Sequence, residues 1–121
     1  MVRAGADIIE TNTFGANRWK LRDFGLEAAV EEINSRGVKI AREAREVAGK
    51  EVIIAGSIGP AGLAFDFASR PESRASRDSY KEQAEILEQR GVEAFIIETF
   101  PSAGELRLAV ETVRETSSLP I

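Results

Sequence analysis

Three times in this chain a short β-branched run ends in a cluster of polar residues, and roughly forty residues separate one start from the next. The stretches are Asp7-Ile8-Ile9-Glu10-Thr11-Asn12-Thr13, Glu51-Val52-Ile53-Ile54-Ala55-Gly56-Ser57 and Glu93-Ala94-Phe95-Ile96-Ile97-Glu98-Thr99. Each reads as a buried strand of a parallel sheet, because parallel strands are covered on both faces and run nearly continuously apolar. The intervals carry helical periodicity. Val30, Ile33, Gly37, Ile40, Ala41, Ala44, Val47 and Ala48 recur at three- and four-residue spacing, and Gly49 suits the C-terminal cap. Gly37 falls on that apolar stripe, where a missing side chain permits close approach to the sheet. Ser79-Tyr80-Lys81-Glu82 has the pattern of a capping box opening a second helix with the stripe Tyr80, Ala84 and Leu87, closed by Gly91. Ser102-Ala103-Gly104-Glu105 opens a third, with Leu106, Ala109, Val110 and Val113 as its stripe, and Leu119-Pro120-Ile121 reads as the start of a fourth strand.

Strand and helix in strict alternation predict an α/β fold of parallel βα repeats with right-handed crossovers. Polar residues gather at the C-terminal end of every strand, as in a (β/α)8 TIM barrel, whereas an open doubly wound sheet concentrates them at its switch point. The chain has 121 residues, against the ~250 of a closed barrel. The expectation is therefore a partial TIM barrel, one domain over 1–121, truncated at both ends.

Composition removes several classes of function. Charged residues make up 30% with both signs interspersed, and the net charge of −4 offers no basic stripe for phosphates, so no nucleic acid is expected as partner. No apolar stretch is long enough to span a membrane, and the N-terminus lacks a signal peptide's apolar core, so the expectation is a cytoplasmic protein with no membrane partner. Cysteine and histidine are both absent, which removes thiolate nucleophiles, imidazole bases and the usual zinc ligands from this polypeptide. No metal site is expected here and no catalytic residue is assigned.

Strand alternation places Glu98 on one face with Ala94 and Ile96, at the mouth of a barrel if that face points inward. Burial there raises a carboxyl pKa unless a cation neutralises it, which suits a substrate ammonium. A structural ion pair with Arg18, Lys20 or Arg22 is the competing explanation. Glu10 and Asn12 share a face with Ile8, while Thr11 and Thr13 share the opposite one. Asn12 forms strands poorly, so either it touches ligand or it caps the helix that follows. Gly56-Ser57-Ile58-Gly59-Pro60 is a turn whose bare amides suit a carboxylate or phosphate, though it matches neither the P-loop nor the dinucleotide fingerprint. The connection from Ile58 to about Ala75 is long enough to be a functional loop, with Phe65 and Phe67 as a candidate lid, while Phe14, Phe100 and Trp19 read as packing residues.

Taken together, Gly5-Ala6-Asp7-Ile8-Ile9-Glu10-Thr11-Asn12-Thr13-Phe14-Gly15-Ala16-Asn17, Ala55-Gly56-Ser57-Ile58-Gly59-Pro60 and Ile97-Glu98-Thr99-Phe100 resemble consecutive strand-end motifs of the homocysteine S-methyltransferase family. The resemblance covers essentially the whole chain, as strands two to four of that family's (β/α)8 barrel. It implies transfer of a methyl group to the thiol of homocysteine to give methionine, with zinc binding the substrate as thiolate. Carried over, Glu98 receives the amino group of homocysteine, and Thr11, Asn12, Thr13, Gly56 and Ser57 line the pocket. The family's zinc cysteines lie in later strands, and its first strand supplies an acidic residue and a glycine-rich turn. None of these is in this chain, so the resemblance implies a fragment inactive alone. The methyl donor (folate through cobalamin, S-methylmethionine, S-adenosylmethionine or betaine) is not fixed by these motifs. Two other readings stand beside this one. The first is a non-catalytic or split-enzyme module, self-associating or completed by separately encoded barrel strands. The second is an unrelated barrel holding a phosphorylated metabolite at the Gly56 to Gly59 turn.

Overall fold

The structure, a computed structural model, describes residues 2–62 and 72–121. Three strands, β1 (Ile8–Glu10), β2 (Ile53–Ile58) and β3 (Ala94–Ile97), form one parallel sheet in the order β1-β2-β3. Chain order and spatial order coincide, so both crossovers step the same way and their helices fall on one side of the sheet. An open doubly wound sheet would reverse direction. The helices are α1 (Arg18–Arg22), α2 (Val30–Ala48), α3 (Glu72–Arg90) and α4 (Ala103–Thr116), with 3-10 turns at Val2–Ala4 and Glu27–Ala29. The α/β fold read from the sequence is present as a partial, barrel-like layer of strands and helices.

Register divides the sheet residues between two unlike faces. Ile9 lies opposite Ile54, and Gly56 opposite Phe95. This face packs against the helices, and Ile54, Ile58 and Phe95 are essentially sealed beneath Tyr80, Ala84 and Leu87 of α3 and Ala109 and Val113 of α4. On the opposite face Ile8 pairs with Ile53, Glu10 with Ala55 and Ser57 with Ile96. Here Ile8 is 50% and Ile53 44% exposed. Beyond β3, the Phe95 amide donates to the Pro120 carbonyl at 2.8 Å, so the final residues lie beside β3 where a following strand belongs.

The helices match the periodicity unevenly. Gly49 is left-handed at φ 62° and its amide closes α2 on Arg45 O and Glu46 O, as expected of that cap. The buried side of α2, however, is Val30, Asn34, Gly37, Val38 and Ala41, while Ile40 and Val47 are 63% and 75% exposed and Ala44 is also outside. The apolar-only stripe is rotated from the true one because its spacing ignores Asn34, a polar residue that is fully buried. Ser79 does not open α3: the helix is already formed at Glu72, and Ser79 is a buried interior residue whose Oγ accepts from Trp19 N at 3.3 Å. The connection after β2 is correspondingly shorter than expected, and Phe65 and Phe67 lie outside the described residues. Ser102 does cap α4, accepting from the Glu105 amide at 3.4 Å, but Glu105 does not reach back to complete the box. Its Oε1 instead accepts from Tyr80 Oη at 2.6 Å and Ala61 N at 2.8 Å, tying α4 and α3 to the loop after β2. Burial, and then the Glu105 carboxylate, push the Tyr80 phenol far above its usual range, so it remains a donor.

Candidate functional site

Glu10, Ser57 and Glu98 converge at the C-terminal end of the uncovered sheet face. Ala55 and Ser57 are the small residues of the central strand, so the longer side chains of the flanking strands reach toward each other across it. Ser57 Oγ donates to Glu98 Oε1 at 2.7 Å, and Thr99 Oγ1 lies 3.5 Å from Glu98 Oε2. Partial desolvation, then a side-chain hydrogen bond with Glu98 and the repulsion of that second carboxylate, push the Glu10 carboxyl above the usual carboxylate range. Two carboxylates brought together in this way concentrate negative charge, an arrangement that favours a bound ammonium.

The ion-pair explanation for Glu98 is not what forms. Arg18 makes a two-pronged bond to Glu82, at 2.8 and 2.5 Å, and Arg22 stacks over the Trp19 ring at 4.1 Å. Among the described residues neither these nor Lys20 forms a salt bridge with Glu98. The residue after Glu98 is Thr99, whose φ of 61° lies in the left-handed region. A β-branched residue there carries about 1–3 kcal/mol of strain. That strain sits where the strand turns away beneath Glu98.

The other residues singled out from the sequence divide by face. Thr11 and Thr13 are buried, and their hydroxyls are used inside the fold. Thr13 Oγ1 donates to Ser57 O at 2.7 Å, so Thr11 is the donor in the 2.7 Å contact between the two hydroxyls, and Thr11 Oγ1 accepts from Ser57 N at 3.1 Å. They weld the end of β1 to the end of β2. Gly56 faces the helices, where a Cβ would stand 3.0 Å from Leu87 Cδ1, so its lack of a side chain serves the packing of α3. Gly59 makes room for Phe14, since a Cβ there would stand 2.5 Å from the ring. Gly37 admits the loop after β1: a Cβ would stand 2.5 Å from Thr13 Cγ2, so the close approach is to that loop and not to a strand. Asn12 is exposed, and Ser57 is buried against Glu98. Sequence reasoning put Glu10 on the right face without joining it to Glu98. The usable signal was the run of small residues at Ala55 and Ser57 between two strands that each carry a glutamate near the end.

The donor set does not suit zinc. There is no cysteine or histidine, and among the described residues no three Asp or Glu side chains come together to hold a metal. No step through a metal is assigned to these residues. Among the described residues no helix is long and apolar enough to cross a membrane.

The homocysteine S-methyltransferase family profile matches residues 1–121. Methionine synthase from Mycobacterium leprae (strain TN) is 34% identical over 110 residues, covering 88% of this chain and 9% of that protein. Methionine synthase from Mycobacterium tuberculosis (strain ATCC 25618 / H37Rv) is 33% identical over 110 residues, with the same coverage. Among solved structures, the metallated form of the homocysteine methyltransferase MmuM from Escherichia coli superimposes with a TM-score of 0.77 at 26% identity, over 94% of this chain and 44% of that one. Its oxidized form gives 0.77 at 25% identity, over 93% and 43%. The chain thus spans less than half of the solved relatives and about a tenth of the methionine synthases it matches.

Proposed function

The chain belongs to the homocysteine S-methyltransferase family, and on that footing we propose that its uncovered sheet face is a homocysteine-binding wall, with Glu98 and Glu10 receiving the substrate's ammonium group. The observation that carries this reading is the convergence of Glu98, Ser57 and Glu10 at the C-terminal strand ends. That is the end of a parallel α/β layer where ligands are bound. Ser57 fixes one oxygen of Glu98, leaving the rest of the carboxylate pair to take up the ammonium. Asn12, exposed on the next loop, meets the substrate's polar end in this reading. Thr11, Thr13 and Gly56 support the wall from behind without offering side chains to it. Methyl transfer to the homocysteine thiol is the activity of the whole enzyme to which this wall contributes.

The pH dependence has a definite sign. A bound ammonium favours ionised carboxylates, so affinity falls as the pH drops through the raised pKa of Glu10. Calorimetric titration with homocysteine and with 4-mercaptobutyrate, which lacks the amino group, tests the reading. Homocysteine is expected to bind and the des-amino analogue to bind at least about tenfold more weakly, with Glu98→Gln removing the difference, since a hydrogen bond to a charged group contributes roughly 1.5–3 kcal/mol. Equal binding of the two thiols, or an unaltered preference in Glu98→Gln, contradicts it.

A further inference from the structure

Two buried amides stand behind the proposed wall, and neither touches it. Asn34 of α2 and Gln83 of α3 are both fully buried. Gln83 Nε2 donates to the Thr13 carbonyl at 2.8 Å and to Asn34 Oδ1 at 3.2 Å. Asn34 Nδ2 donates to the Ala16 carbonyl and to the Val30 carbonyl, each at 2.8 Å. The orientation of both amides is set by their partners: Thr13 O, Ala16 O and Val30 O can only accept, so each NH2 must face them. The loop they grip leaves β1 through Asn12 and is braced on its far side as well. Phe14 O accepts from Gly59 N at 3.0 Å, and Asn17 Nδ2 reaches Pro60 O at 3.4 Å. An apolar core has no need of two primary amides at these positions, and burying them is costly unless every donor is used. What they gain is a fixed place for a loop whose Thr13 and Ala16 carbonyls they hold.

We propose that Gln83 and Asn34 are positioning residues of the substrate mouth, which hold Asn12 at the strand end by gripping the loop carbonyls of Thr13 and Ala16 from the outer helices. The inference rests on the homocysteine reading only for what Asn12 meets. The bracing itself is independent of it.

Amide hydrogen exchange and 15N spectra of the chain test it, using Gln83→Met, which keeps the volume and removes the donors, and Gln83→Glu. In Gln83→Met the Ala16 and Gly59 amides, which close the loop's own bonds to Thr13 O and Phe14 O, should exchange about tenfold or more faster. The sheet amides of Thr11, Ile53 and Glu98 should change less than about threefold, and the Asn12 and Thr13 resonances should move. Gln83→Glu adds a reversible arm. A buried carboxyl is protonated well above the usual range, and in that form its OH donates to Thr13 O. Its loop resonances should therefore lie nearest the wild type at acid pH and depart further from it as the pH rises. Should Gln83→Met not fold, this titration makes the same comparison within one protein. Loop and sheet amides accelerating together in Gln83→Met, or loop resonances of Gln83→Glu that are indifferent to pH, overturn the proposal. Should homocysteine leave the Ser57 and Glu98 resonances unmoved while the exchange pattern holds, the substrate reading fails and the positioning role stands.

Discussion

Replacing Gly37 by alanine sets two effects of known sign against each other. In the interior of α2, alanine is favoured over glycine by about 1 kcal/mol through helix propensity. The new Cβ, however, would stand 2.5 Å from Thr13 Cγ2, while its next neighbours, Asn12 O at 3.6 Å and Asn12 C at 3.8 Å, are at ordinary contact distance. Carbon atoms settle near 3.5–4.0 Å, so helix and loop must part by roughly 1 Å. Thr13 cannot simply turn aside, because its hydroxyl is held by Ser57 O and Thr11 Oγ1. Forced overpacking of this kind costs about 1–3 kcal/mol. Gly37→Ala is therefore expected to be destabilising by up to about 2 kcal/mol despite the better helix former. Thr13→Ser removes the methyl and keeps the hydroxyl, so in that background Gly37→Ala should become stabilising by about 1 kcal/mol. Urea unfolding of the four proteins gives the coupling directly, expected at about 1–3 kcal/mol. A stabilised Gly37→Ala single variant, or a cycle with no coupling, refutes the close-approach argument.

Further outcomes follow from the same geometry. Ile54→Ala, at a fully buried site beneath the helices, should cost about 2–5 kcal/mol in urea unfolding, while Val47→Lys on the exposed side of α2 should stay within about 0.5 kcal/mol of the parent. Because the folded-state pKa of Glu10 is raised, its stabilising contribution is complete below the unfolded carboxylate range and is lost as the pH rises through the folded value. Glu10→Gln should remove that decline when urea midpoints are compared between pH 4 and 8, and a parallel decline in both proteins would count against it. Glu105→Ala strips a buried acceptor from Tyr80 and Ala61 and a carboxylate from the first turn of α4. It should lower stability by about 2 kcal/mol or more, measured by thermal or urea unfolding.

The strands were legible because burial on a parallel sheet demands a continuous apolar run, which Ile8-Ile9, Ile53-Ile54 and Ile96-Ile97 supply. Helix ends marked by special backbone geometry were equally legible, as at Gly49 and Gly91, both left-handed in φ. Helix faces were not, wherever a polar residue does the work of a core residue. Asn34 and Gln83 look like solvent-facing residues in a pattern built on hydrophobicity, yet both are buried because loop carbonyls need donors. The false start at Ser79 has a related cause: a serine four residues ahead of Gln83 mimics a cap, while its hydroxyl serves the Trp19 amide across the helix interface. At the candidate site, alternation placed Glu98 with Ala94 and Ile96, and Glu10 with Ile8, each on one face of its own strand. Their meeting required the register between strands, which a single sequence does not carry.

The most direct test of the account is a two-dimensional 15N–1H spectrum of the chain titrated with homocysteine. The amides of Glu10, Asn12, Ser57, Glu98 and Thr99 are expected to shift together along one saturating curve, and Glu98→Gln to abolish the movement. Resonances at these strand ends that stay fixed, whether or not shifts occur elsewhere, contradict the claim that this face binds the substrate.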